Sequence, residues 1–420
     1  MELNSVEKFQ LTLATLFAVL CAIYLVLISY FDVTTEAVAV GLKNANLLFD
    51  GKPLSMEYPP LTLLFISIPR LFSADPLGYT VTYVAMVFMF FAVGLQIVNL
   101  LAEKYQKDQK KMMLAYSVLV LILFEFVVDR HDIFPMAFTL IAIYCFVTKR
   151  YMWAFVFLSL GMMTKLYPAI LFPIFLAPLL VNRDWKNTLT GIAAFMLVAL
   201  GILAITLMID PNMLSYFIDY HSGRPLQIES VAASLIYPFK MLGLTNAWIA
   251  FSYGSDNLMG SLPDAVASIL TPLMLGLILF SCLLFLYLYN RFHNAETRSA
   301  LFGLAIMFVI LLFIIVGKVF SSQYILWIIP PLLFLFMTDI DKKIKHNLFW
   351  LTISIFVITQ INFVYNIGYL GGGEYINDLG MMVILIRNIL TIILMCYIGK
   401  TIYDMYRTTS SEKTTNDVYA

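Results

Sequence analysis

The chain has 420 residues, 61% of them hydrophobic and only 12% charged, with 26 basic and 26 acidic groups and a mean hydropathy of +0.88. A soluble globular domain is about 45–50% apolar and about 25% charged, so composition excludes that class and makes this an integral membrane protein. Zero net charge names no partner in bulk and gives no reason to expect nucleic acid; membrane lipids are the one partner composition implies.

Along the chain the apolar blocks are 9–31, 77–101, 112–128, 133–148, 151–165, 168–181, 187–209, 264–290, 299–318, 322–338, 347–367 and 379–400. The longer ones reach across about 30 Å of hydrocarbon at about 1.5 Å per residue. The first block is too long for a signal peptide and lacks a small-residue cleavage site, so an uncleaved helix is expected. Leu61 to Phe72 is apolar but short and carries Pro69 and Arg70, which points to a re-entrant or interfacial helix. The four cysteines (Cys21, Cys145, Cys282, Cys396) lie inside apolar blocks without a CxxC pair and are expected to pack. The pattern predicts an all-α bundle of about twelve transmembrane helices, one polytopic domain over residues 1–400. The first outer loop, 32–76, and the long outer loop, 210–263, would roof an active site, and the polar stretch 401–420 reads as a disordered tail.

If Leu61–Phe72 does not cross, one side of the membrane collects most of the basic residues. These are Lys8, the Lys104–Lys111 cluster, Lys149, Arg150, Arg183, Lys186, Arg291, Arg298, Lys342, Lys343, Lys345, Lys400, Arg407 and Lys413. The positive-inside rule then places both termini in the cytoplasm.

The opposite face is different in kind. It carries Asp32 at the end of the first helix, then Glu36, Asp50 and Glu57-Tyr58-Pro59-Pro60 in the first loop. Asp129-Arg130-His131-Asp132 and Lys165-Leu166-Tyr167-Pro168 follow, then Tyr220-His221 through Arg224, Gln227, Glu229 and Ser230, and finally Lys318 through Ser321-Ser322-Gln323-Tyr324. Each element has a plain structural alternative. Asp32 simply ends a helix, Tyr58-Pro59-Pro60 turns in an aromatic belt, Asp129–Asp132 forms a solvated turn with internal ion pairs, and Lys165 and Lys318 snorkel. His221 and Arg224 become surface residues, while Glu125 and Arg387 make structural pairs. Coincidence would scatter such residues over both faces, and their one-sidedness favours a shared, half-buried site for an anionic ligand with a greasy tail.

In this order the motifs resemble glycosyltransferase family 87, the polyprenol-phosphate-mannose-dependent α-1,2-mannosyltransferases and related arabinofuranosyltransferases of the GT-C fold. The matching residues are Asp32, Glu57–Pro60, Arg130–Pro135, Lys165–Pro168, Tyr220–Ser230 and Ser321–Trp327. The resemblance implies an inverting transfer of a sugar, mannose first among candidates, from a polyprenyl-phosphate donor to a lipid or glycan acceptor on the extracytoplasmic side. It implies Asp32 as the base, with Glu57 as second choice. Arg130, Lys165, Arg224 and His221 would bind the donor phosphate, and His131, Asp132, Tyr167, Gln227, Glu229, Gln323 and Tyr324 would contact the sugar or acceptor. The Asp-x-Asp of some other GT-C enzymes is missing, since Asp32-Val33-Thr34 stands there. No cofactor is therefore assigned, and a divalent cation stays an open alternative. The competing reading is a lipid or sugar transporter or flippase, which places its site near the midplane and often carries repeats; no repeat is visible here. A non-catalytic scaffold offers no reason for polar motifs on one face.

Overall fold

Every apolar block read from the sequence carries a helix in the computed structural model, which describes residues 3–33, 35, 37–54, 57–370 and 378–419, with side chains described at all of these except 37, 364–370 and 409–419. Glu36 lies outside the described residues. Seven helices are long and apolar enough to cross a membrane: α1 (Ser5–Tyr30), α4 (Pro76–Lys104), α10 (Trp185–Ile209), α13 (Ser261–Arg291), α14 (Ala295–Val316), α16 (Lys342–Leu370) and α17 (Asp378–Tyr419). The other five blocks hold shorter helices: α5 (Gln109–Ile122) with α6 (Phe124–Asp129), α7 (Ile133–Val147), α8 (Tyr151–Thr164), α9 (Phe172–Val181) and α15 (Ile329–Met337). Helix length alone thus assigns seven crossings, where the count of apolar blocks suggests about twelve. The last helix runs on to Tyr419, past the Lys400 at which the apolar pattern stops.

Local chemistry accounts for the helix limits. Asp75 caps α4, accepting from Gly78 N at 3.0 Å, and Pro76 follows at the first helical position. Asn294 caps α14 in the same way. The expected short helix is α3 (Thr62–Phe72), with Leu63, Phe65, Ile66 and Pro69 buried. Two further helices, α2 (Lys43–Phe49) and α11 (Met213–Gly223), flank the loops on either side of it in sequence.

The described residues group into two compact units, 1–172 with 185–223 and 173–184 with 224–420. The core of the first is α4, α7, α8 and α10. Phe65 stacks on Phe134 at 4.3 Å and Phe17 on Phe91 at 3.9 Å. A side chain at Gly191 of α10 would meet the Phe155 ring of α8 at 2.4 Å, so only glycine allows that approach. In the second unit α14 is the buried centre and packs on α15 and α17. Here sequence periodicity misses a small antiparallel sheet of order β1-β3-β2, from Leu226–Gln227, Trp248–Ser252 and Ser255–Met259. Its strands are too short for a period-two pattern to register. The short helix α12 (Val231–Met241), capped by Ser230, supplies Ile236 and Tyr237 to the core behind it.

Candidate active site

In the first unit the site is built on a pinned loop. Asp210 accepts from the backbone of Leu54 at 2.8 Å and of Asn212 at 2.9 Å, fixing the start of the loop against the start of α11. Leu54, Leu63, Ile66 and Met213 form a small apolar cluster on which Tyr58 packs. Further along, Leu61 N donates to Met163 O at 2.7 Å and the Thr62 hydroxyl to Thr164 O at 2.8 Å, so the loop is tied to the end of α8. Glu57-Tyr58 is held from both sides.

Tyr58 then becomes a hub. Its ring meets His131 edge-on at 5.3 Å, and Lys165 Nζ lies 5.5 Å from its centroid. Lys165 forms a 2.8 Å ion pair with Asp132, with the carboxylate side chain only 1% exposed. Three motifs remote in sequence therefore touch through one aromatic ring. The α8 helix ends because Lys165 is extended (φ −155°), and that turn swings its ammonium toward Asp132 at the start of α7.

His131 has a defined proton. The single Tyr83 hydroxyl proton goes to the Arg130 carbonyl at 2.9 Å, since a carbonyl only accepts. His131 Nδ1, also 2.9 Å from that hydroxyl, must then be the donor, which leaves the lone pair on Nε2. Burial, followed by the charges of Lys165 and Arg130, lowers the His131 pKa to about 3, so the ring is a neutral acceptor near pH 7.

Glu57 is gripped from the fourth motif. The Tyr220 hydroxyl donates to Glu57 Oε2, and His221 Nε2 donates to the Glu57 carbonyl at 2.9 Å. The carboxylate remains partly exposed.

Asp32 stands on its own footing. It is exposed, at φ 51°, one residue beyond the C-cap of α1, with Val33 N closing back to Ile28 O at 2.9 Å. The same closure ends three other helices, with Gln106, Lys149 and Arg183 at the equivalent left-handed position. Lys149 and Arg183 suit the negative end of the helix dipole there; a carboxylate is disfavoured by the dipole, although aspartate tolerates the left-handed region better than most side chains.

In the second unit Arg224 donates to the Ser255 hydroxyl at 3.1 Å, and its charge, after burial, lowers the Lys318 pKa. Gln227 is fully occupied, donating to Ser321 at 3.1 Å and accepting from Phe320 N at 2.8 Å. Glu229 accepts from Ser322 at 2.6 Å and from Arg387 at 2.7 Å, and its carbonyl accepts from Arg387 and Asn388. Burial and Glu229 together raise the Asp256 pKa. Gln323 is buried, and Tyr324 stacks on Trp327 at 4.1 Å.

Several expected ligand contacts are thus internal ones. Tyr167 is completely buried, its hydroxyl shared with Thr139 at 2.8 Å and Pro135 O at 3.0 Å, so it braces α7 and cannot stack on a sugar. Lys165 and Asp132 neutralise each other, which removes Lys165 as a free phosphate cation. Gln227 and Glu229 hold the 318–323 loop. Sequence reasoning missed Tyr83 and Asp210, whose polar atoms sit next to apolar runs without a motif. Among the described residues no group of three or more His, Cys, Asp or Glu is arranged to hold a metal.

The model of glycosyltransferase family 87 matches residues 57–315, more than half of the chain. The chain belongs to glycosyltransferase family 87. The matched segment of this family 87 chain opens on Glu57 and contains the Arg130–Asp132, Lys165 and Tyr220–Glu229 motifs; Asp32, Ser321–Trp327 and Arg387 lie beyond it. No curated protein sequence matches the chain. Among solved structures it is similar to ArnT from Cupriavidus metallidurans bound to undecaprenyl phosphate, at 12% identity and a TM-score of 0.45, over 94% of this chain and 78% of that one. This family 87 protein is a multi-pass membrane glycosyltransferase.

Proposed function

We propose that the protein transfers a sugar, mannose first among candidates, from a polyprenyl-phosphate donor to a hydroxyl of a lipid or glycan acceptor, with inversion, on the extracytoplasmic face. The observation that carries the reading is the meeting of four sequence-distant motifs around Tyr58 and Glu57 in a family 87 chain. A merely structural origin gives no reason for carboxylate, imidazole and phenol groups to gather at one partly exposed loop.

An alcohol is a weak nucleophile, so a carboxylate takes its proton as the oxygen attacks the anomeric carbon. The bond from that carbon to the phosphate oxygen breaks, and the phosphodiester leaves as a polyprenyl phosphate monoester carrying one more negative charge. Asp32, placed at the negative end of the α1 dipole, is our base, and Glu57 is the second carboxylate. Arg130 supplies positive charge for the phosphate, and Arg224, which the family motif also assigns to the phosphate, belongs to the second unit. Lys165 serves indirectly, by holding Tyr58.

The experiment is incubation of purified protein with polyprenyl-phosphate mannose and its glucose, galactose and arabinose analogues plus membrane lipid extract, with products identified by mass spectrometry. Asp32→Asn should lower turnover about 100-fold or more while the protein stays folded. Near-normal turnover would move the base to Glu57. Donor movement across vesicles without any new glycosidic bond would replace the transferase reading with a transporter.

A further inference from the structure

We infer that Tyr220 and His221 are positioning residues that set the Glu57 carboxylate, an inference that rests on Glu57 standing at the reacting centre. The geometry starts two turns upstream. Met213 belongs to the apolar cluster with Leu54, and Asp210 ties the two segments together at that point. From Met213 to Tyr220 is seven residues, about two helical turns or 10.5 Å on the same face of α11. Glu57 follows Leu54 by three positions, and the Tyr220 hydroxyl reaches Glu57 Oε2 while His221 Nε2 reaches the Glu57 carbonyl.

The division of labour is specific. His221 fixes the backbone of Glu57, and Tyr220 fixes one carboxylate oxygen, leaving the other oxygen to face a reacting hydroxyl. The His221 Nε2 proton is committed to a carbonyl, which reassigns this residue from phosphate binding to loop placement. Phe217, one turn back on α11, packs on the His221 ring at 4.4 Å and limits its swing. Tyr216 does the same for Tyr220, its ring 6.3 Å away.

The test uses full-length protein with whichever polyprenyl-phosphate sugar of the panel above turns over. Tyr220→Phe should lower kcat about tenfold and leave the donor KM within about twofold, the signature of lost transition-state stabilisation. His221→Gln, whose amide places a donor near the Nε2 position, should keep most of the activity that His221→Ala loses. A substrate-free arm is the thermal midpoint of Tyr220→Phe, Glu57→Ala and the double variant, which should be non-additive. Additive midpoints would overturn the inference while leaving Glu57 in place. Normal turnover by Glu57→Gln would instead remove Glu57 from the reaction, and the positioning role with it.

Discussion

Glu57 and Glu229 are both carboxylates set in polar motifs of an apolar chain, yet their surroundings differ. Glu57, in the first unit, is held through one oxygen and its backbone carbonyl and stays partly exposed. Glu229, in the second, is bonded by more groups: Ser322 and Arg387 both meet its Oε2, and Arg387 and Asn388 take its carbonyl, while its side chain stays 20% exposed. Arg387 is fully buried and lies 4.0 Å from the centroid of Phe320, so this network fixes the loop that presents Lys318. The contrast teaches that membership of a motif does not make a residue a ligand. Some motif residues exist to hold others, and the partners that each polar atom meets tell the two apart.

The sharpest way to break this comparison is Glu229→Ala. It strands the Arg387 guanidinium in the interior and should cost about 3–5 kcal/mol of stability, measured by thermal or denaturant unfolding in detergent. Glu57→Gln should cost less than about 1 kcal/mol while abolishing turnover. A stable but inactive Glu229→Ala would place that residue at the chemistry after all. Next in size, Lys165→Met leaves Asp132 buried and unpaired and should destabilise by about 3 kcal/mol. Adding Asp132→Asn should restore part of that stability, and turnover should fall with the loss of the Tyr58 contact.

A third effect is pH-dependent. The folded His131 pKa of about 3 lies below its ordinary 6.5, so between these values the unfolded chain binds the extra proton. Stability therefore rises with pH across that window and falls on acidification by up to about 1.4 kcal/mol per unit. His131→Asn, which keeps a donor for the Tyr83 hydroxyl, should flatten that slope; an unchanged slope would assign it elsewhere. The smallest effect is Asp32→Gly. Glycine accepts φ 51° freely and removes a charge from the wrong end of the helix dipole, so the protein should gain about 0.5–1 kcal/mol as it loses activity. A destabilised Asp32→Gly protein would mean that the aspartate is structural.

Much of this was legible without coordinates. Length, hydropathy and the apolar blocks determined that the chain is a helical membrane protein, because hydrocarbon tolerates only internally hydrogen-bonded backbone. The order of the polar motifs pointed to the family. Segment lengths hid more: α5 stops at Leu123, whose φ of −107° breaks the helix, although hydropathy continues without interruption. The sheet was invisible because two- and five-residue strands leave no periodic trace.

Which polar residues serve a ligand and which serve the protein was decided by tertiary structure alone. Lys165 and Lys318 look equivalent in sequence, but Lys165 meets a carboxylate, whereas burial and the charge of Arg224 lower the Lys318 pKa. Tyr167 and Tyr220 both sit in motifs, and only the latter reaches Glu57. Hydropathy sums over a segment and is insensitive to partners, whereas the role of a polar atom in a low-dielectric interior depends on the single group it meets within about 3 Å. Those meetings join residues 28 to 163 positions apart, distances across which sequence pattern carries no signal.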